Sequence, residues 1–209
     1  MLARLRAHPG LVVVVGVYYF GFLALGLATG NTQVPYYAVF MGVLLTLVAF
    51  WDSRRHFSNL VLWGLALWGA LHMAGGMIPV SGDRVFYNLW LLPFVRFDHV
   101  VHAIGFGFAG MGFWESVRPT VDRTVASGAA FTMMGGLGFG ALNEMVEFLI
   151  TRVVPDTNIG EFENTGWDLV ANTVGAGLAA LWVRRGWTRQ GTGKSLATEP
   201  MPSMPTSDR

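Results

Sequence analysis

The chain has 209 residues, 53% of them hydrophobic and 13% charged, with a formal net charge of +1. That is too apolar for a soluble domain of this size and predicts an integral membrane protein. With no cysteine, disulfides, iron–sulfur clusters and thiolate metal sites are excluded.

Six apolar segments are predicted as helices at 10–29, 34–51, 59–79, 97–117, 124–152 and 167–184, each near the roughly 20 residues that a spanning helix needs. The first follows Arg4 and Arg6. Its apolar run exceeds the roughly 7–15 residues of a signal peptide and no small-x-small cleavage pattern follows, so a retained helix is expected. Gly30-Asn31-Thr32 separates the first two segments, and Asp52-Ser53-Arg54-Arg55 reads as a turn with orienting charges after the second. Residues 80–96 are too short and interrupted to span; an interfacial or re-entrant segment is expected, with Pro93 breaking any helix. Arg118-Pro119-Thr120 and Pro155-Asp156-Thr157 mark the next two junctions. The stretch Asp156–Glu161 reads as a solvated acidic loop, since it lacks the terminal bidentate Glu of a calcium loop. Residues 186–209 are too polar to bury anything and are expected to form a disordered cytoplasmic tail, leaving 1–185 as a single transmembrane domain.

Orientation follows from the basic residues. With the N-terminus inside, the inner segments hold Arg4, Arg6, Arg54, Arg55, Arg118, Arg123, Arg184, Arg185, Arg189, Lys194 and Arg209, and the outer ones hold Arg84, Arg96 and Arg152. Eleven against three predicts an all-α polytopic bundle of about six spanning helices with both termini in the cytoplasm. The same placement accounts for the basic residues without a nucleic-acid partner and leaves membrane lipid as the expected environment. Trp51, Trp114, Trp182 and Trp187 fall near the inner boundary, Trp90 and Trp167 near the outer one, as an aromatic belt requires.

Seven polar or ionisable residues interrupt the apolar segments: His72, Asp98, His102, Glu144, Glu147, Asp168 and Asn172. A charge in hydrocarbon costs at least about 2.5–3.5 kcal/mol, so such groups line cavities or pair with one another. The orientation, fixed by Arg and Lys alone, places all seven toward the outer side. Glu115 lies at the inner end of the fourth segment, where an interfacial pair with Arg118 is expected. Asp98/His102 and Asp168/Asn172 are spaced i, i+4, and Glu144/Glu147 i, i+3, so each pair shares a helix face. His99 falls on another face, toward the interface. Small residues continue each stripe: Gly105 and Ala109, Gly136 and Gly140, Gly175 and Ala179. Small stripes allow close approach, so the last three segments are expected to pack together with their polar pairs meeting. Gly-rich fourth and fifth segments also offer a surface for a homo-oligomer or an intramembrane partner.

The blocks Asp98-His99-Val100-Val101-His102, Glu144-Met145-Val146-Glu147 and Asp168-Leu169-Val170-Ala171-Asn172-Thr173-Val174-Gly175 resemble those of the VanZ-like family and its YjdF-like relatives. Those proteins carry Asp-Lys-x-x-His-Phe, an acid on a later helix, and Asp-x-x-x-Asn-x-x-Gly. Here His99 stands where the family often has Lys, Ala103 where it has Phe, and Glu147 where VanZ-like members often have Gln. Asn164 stands where YjdF-like members tend to carry an Asp. The resemblance implies a small multi-pass protein of the bacterial plasma (inner) membrane. It is linked in some VanZ-like members to glycopeptide-antibiotic tolerance.

Imidazole and carboxylates on adjacent helices form the ligand set that helical bundles use for Zn, Mn or Fe. Asp98, His102, Glu144, Glu147 and Asp168 are the candidate ligands of a mononuclear or carboxylate-bridged dinuclear site. His72 and Glu144 are the candidate catalytic groups, and His72 is alternatively a further ligand. Asn143 and Asn172 would orient ligating carboxylates. Arg96 and Arg152, at the outer rim, would hold a substrate anion. On this reading the chain is a metal-dependent membrane hydrolase or transferase acting on a lipid or cell-envelope substrate. Three others stay open: a transporter using the acids as a relay, a non-enzymatic module binding a lipid headgroup or ion, and a polar network that only ties helices together.

Overall fold

The computed structural model describes residues 1–82, 84–121, 124–153 and 162–191. It is an all-helical bundle with a short leading helix, α1 (Leu2–Ala7), and six long helices: α2 (Pro9–Ala28), α3 (Val34–Arg55), α4 (Asn59–Met77), α5 (Phe97–Val117), α6 (Val125–Val153) and α7 (Phe162–Gly191). Local chemistry sets the boundaries. Pro9 and Pro35 sit in the first turns of α2 and α3, where a missing N–H costs no hydrogen bond. Gly30 turns the chain at φ 70°, and His56 closes α3 in the left-handed region. The Ser58 hydroxyl caps α4 by accepting from Val61 N.

Two boundaries differ from expectation. Helix α3 continues four residues past the apolar run, because Asp52 is buried and holds Arg4 of α1 through both carboxylate oxygens at 2.8 and 2.9 Å. What reads as a charged turn is therefore the anchor of the leading helix. Helix α7 begins at Phe162 and runs to Gly191, so residues 186–191, expected in the tail, are helical. Residues 192–209 and the acidic stretch 156–161 lie outside the described residues.

Between α4 and α5 the chain forms two small antiparallel ribbons, β1 (Pro79–Ser81) with β2 (Arg84–Val85) and β3 (Trp90–Leu92) with β4 (Val95–Arg96). A 3-10 turn at Phe86–Asn88 joins them. This cap satisfies its own backbone groups in strand pairs, which is how a segment too short to span satisfies its peptide groups at a helix end.

Helices α5, α6 and α7 pack most extensively against one another, with α4 against α5 and α2 against α4. Glycine permits this. A Cβ on Gly175 of α7 would collide with the Ala103 carbonyl of α5, and one on Gly136 of α6 would lie 2.6 Å from both the Phe106 oxygen and Ala176. Gly105 of α5 faces Trp68 of α4 instead of α6 or α7. Among the described residues, α2, α3, α4 and α6 are long and apolar enough to cross a membrane. Helices α5 and α7 are long enough but less apolar, since their opening turns carry Asp98, His99 and His102, and Asn164, Asp168 and Asn172. Trp114, expected at the interface, is buried in the bundle against Phe131.

Candidate functional site

The up-and-down order of the helices brings the end of α4, the start of α5, the end of α6 and the start of α7 to one end of the bundle. There His102 is the hub. Its Nδ1 lies 3.1 Å from Asn172 Oδ1. An amide oxygen only accepts, so Nδ1 carries the hydrogen and the Nε2 lone pair is left facing Asp98 Oδ1 at 3.6 Å. Two lone pairs opposed at that distance need a proton or a cation between them.

Asn164 completes the set. Its amide donates to Asp168 Oδ2 at 2.6 Å and to Asp98 Oδ2 at 3.3 Å, clipping together aspartates from two helices. The Asn164 carbonyl in turn accepts from Arg96 Nη1 at 2.9 Å. Each aspartate is thus held through one oxygen and keeps the other available; Asp168 is fully buried, with no hydrogen-bond partner for Oδ1 among the described residues. Asp98, His102 and Asp168 each offer a ligand atom within 4.8 Å of the other two. A ring nitrogen and two carboxylates, each fixed from behind by an amide, is the support that ligating side chains ordinarily receive.

A second triad, His102, Glu144 and Glu147, meets the same distance limit. Glu144 Oε1 lies 3.4 Å from His102 Nδ1, on the side of the ring opposite Asp98. Both Glu144 oxygens are buried without a hydrogen-bond partner among the described residues. Glu147 is half-buried and accepts from Asn143 Nδ2 at 2.7 Å. Four carboxyl groups therefore surround one imidazole, so much negative charge in a buried place that protons or a cation must offset it.

The structure brings together Asp98, His102, Glu144, Glu147, Asp168, Asn143 and Asn172 and leaves other predicted members apart. Asn172 orients the imidazole, where a carboxylate was expected. His72 pairs with Tyr87 of the cap at 2.5 Å and is ringed by Tyr37, Phe40 and Trp68 at centroid distances of 5.3–5.6 Å. Burial, with smaller contributions from neighbouring acidic groups, pushes the Tyr87 phenol above its ordinary value, so it stays a neutral hydroxyl paired with His72 Nδ1. Arg96 stacks over Trp90 and braces Asn164, while Arg152 is exposed in the last turns of α6. His99 is buried: its Nδ1 accepts from Arg96 N at the start of α5 and its ring stacks on Trp167. Glu115 accepts from Ser58 N at 2.8 Å in place of the expected pair with Arg118. Asn164 and Tyr87 are the members that sequence reasoning missed.

Beside the cluster lies a cavity of about 550 Å³. Asp98, His102, Asn143, Glu147 and Asn164 form one wall, and His72 and Tyr87 stand at another side. Its apolar lining comes from Val39, Phe40 and Val43 of α3, Val146 and Ile150 of α6, and Trp68 and Phe106 beside the two histidines.

Together the fold and the cluster define a helical membrane protein whose buried His/carboxylate group borders a cavity at one end of the bundle. The chain belongs to the family described as "Predicted membrane protein (DUF2238)", which it matches over residues 10–189. No curated protein and no solved structure matches it.

Proposed function

We propose that Asp98, His102 and Asp168 hold a divalent metal (Zn, Mn or Fe) and that the protein is a metal-dependent membrane hydrolase or transferase. Its substrate is a lipid or cell-envelope precursor reached from the extracytoplasmic face. The observation that carries this reading is the division of labour in the triad. One atom of each ligand is fixed by an amide, and the opposed Nε2 and Oδ1 atoms, which need a proton or a cation between them, would be bridged by the metal. Three protein ligands beside a cavity leave a coordination position open, as in catalytic rather than structural sites. A metal there would polarise a bound water or ester oxygen. Glu147, on the cavity wall, is better placed than Glu144 to take the proton, while Glu144 faces the other side of His102 as an alternative ligand or base. His72, held by Tyr87 at the side of the cavity, is a second candidate base or a further ligand. Arg96 acts through Asn164, and neither it nor the exposed Arg152 lines the cavity, so a substrate anion would be met by the metal.

The remaining assignments follow from the charge distribution and the resemblance. All six long helices cross the bacterial inner membrane with both termini inside, the 1–185 region forms one domain, and the chain shares ancestry with VanZ-like and YjdF-like proteins. A second reading, in which the network only ties α5 to α7, is favoured by the His102–Asn172 bond between those helices.

Elemental analysis of purified protein separates the two. The expected result is stoichiometric metal in the native chain, lost in Asp168→Asn and His102→Ala at unchanged helical content. Full metal retention in both variants, or no uptake of Zn, Mn or Fe by the native chain, would remove the metal from this triad and leave the readings that need none.

A further inference from the structure

The cavity has an apolar side that opens sideways. Val39 and Val43 line it, yet they are 68% and 53% exposed on the outer surface of α3. On the other side of the opening stand Val146 and Ile150 of α6. Toward the other end of the bundle the same two helices meet, with the Trp51 ring against Phe139 at 5.7 Å. Helix α3 otherwise packs on α1, α2 and α4. The gap between α3 and α6 therefore widens toward the end where the cluster lies, and its lips are apolar side chains that face the surroundings of the bundle.

The two walls differ in chemistry along the whole opening. On α3 the stretch from Tyr36 to Val43 is about 10 Å long, two turns of mostly apolar surface with Trp68 and Phe106 also in the lining. Opposite are the carboxyls of Asp98 and Glu147 and the amides of Asn143 and Asn164. A wholly polar ligand would leave the α3 wall dry, and a hydrocarbon would leave the opposite wall unpaired. No Lys or Arg lines the cavity among the described residues, so an anionic head would be neutralised by the metal and not by a basic side chain.

The geometry points to a bilayer lipid as the occupant, one that enters sideways between α3 and α6 with its phosphate-bearing head at the His102 cluster. One acyl chain lies against Val39, Phe40 and Val43 and ends toward Trp68 and Phe106. The pose of the head rests on the metal reading proposed above; the seat of the chain does not.

The test uses the full chain in nanodiscs of palmitoyl-oleoyl phosphatidylglycerol and phosphatidylethanolamine, doped with a phosphatidic acid carrying a diazirine midway along one acyl chain. After irradiation, labelling is expected to concentrate on the segment containing Val39 to Val43. It should exceed labelling on the equally exposed face of α2 around Val13 and Val17. Val43→Trp, which fills the groove from a surface position and leaves the core intact, should lower it about tenfold. Leu47→Trp, one turn further along and outside the cavity, should leave it unchanged. Uniform labelling of all exposed apolar faces, or equal labelling in Val43→Trp, overturns the inference. Chelation separates it from the metal reading. A fall on metal removal supports both, whereas groove labelling in a protein that takes up no metal supports the lipid and removes the metal.

Discussion

Asn164 has no charge and no metal-ligand chemistry of its own, yet it fixes the geometry on which the site depends. By donating to one oxygen of Asp98 and one of Asp168, it leaves the second oxygen of each available, and Arg96 fixes its orientation. Its replacement by alanine would free both carboxylates to rotate. Supporting residues of this kind are worth about 10–100-fold in metal affinity. Asn164→Ala is expected to weaken metal binding by that order in a competition titration against a chelator, with helicity unchanged. An unaltered affinity would mean that the amide clip is incidental. The Asp98/His102 and Asp168/Asn172 pairs were legible because i, i+4 spacing is a local property. Asn164 was not, although Asp168 lies one turn on: the notice it drew in the sequence was as a departure from a family pattern, and its partners on α5, Asp98 and Arg96, lie 66 and 68 residues away. The tie between His72 and Tyr87 was hidden for a similar reason, since Tyr87 sits in a cap whose strands and 3-10 turn leave no periodic signature.

Among the helices, close approach is set by glycines whose missing Cβ atoms make room for backbone. Gly175 is the tightest of these, facing the Ala103 carbonyl, and backbone cannot swing aside as a side chain can. Gly175→Val is therefore expected to cost at least the roughly 1–3 kcal/mol of ordinary overpacking. It should separate α5 from α7 and lower the thermal midpoint in detergent. Gly138, on α6, has open space where its Cβ would be, so Gly138→Ala should leave that midpoint unchanged or raise it slightly. Equal effects from the two substitutions would contradict the packing described. The stripes of small residues correctly marked Gly136, Gly140 and Gly175 as contact positions. They misjudged Gly105, which meets Trp68 of α4. A stripe identifies a face that can be approached closely; helix α5 has neighbours on several sides, and spacing alone does not say which of them takes the face.

For the whole molecule, hydropathy located the long helices because lipid-facing surface demands apolar side chains along nearly the full length of each. It blurred where the chain stops being apolar without ceasing to be helical, as at Asp52 and beyond residue 185. The proposed orientation has a direct test, because the chain contains no cysteine to interfere. Single cysteines at Ser81, in the cap, and Thr120, between α5 and α6, are predicted to react with a membrane-impermeant thiol reagent from opposite sides. In intact cells Ser81→Cys should label and Thr120→Cys should not; the reverse pattern would invert the bundle and place the cluster at the cytoplasmic face.

The proposed cation centre can be sought directly by anomalous diffraction or X-ray absorption on metal-loaded protein. The expected result is a single metal about 2.0–2.2 Å from His102 Nε2 and from one oxygen each of Asp98 and Asp168, with a further position open to the cavity. A metal bound elsewhere in the chain, or a loaded spectrum showing only water oxygens around the ion, would contradict it.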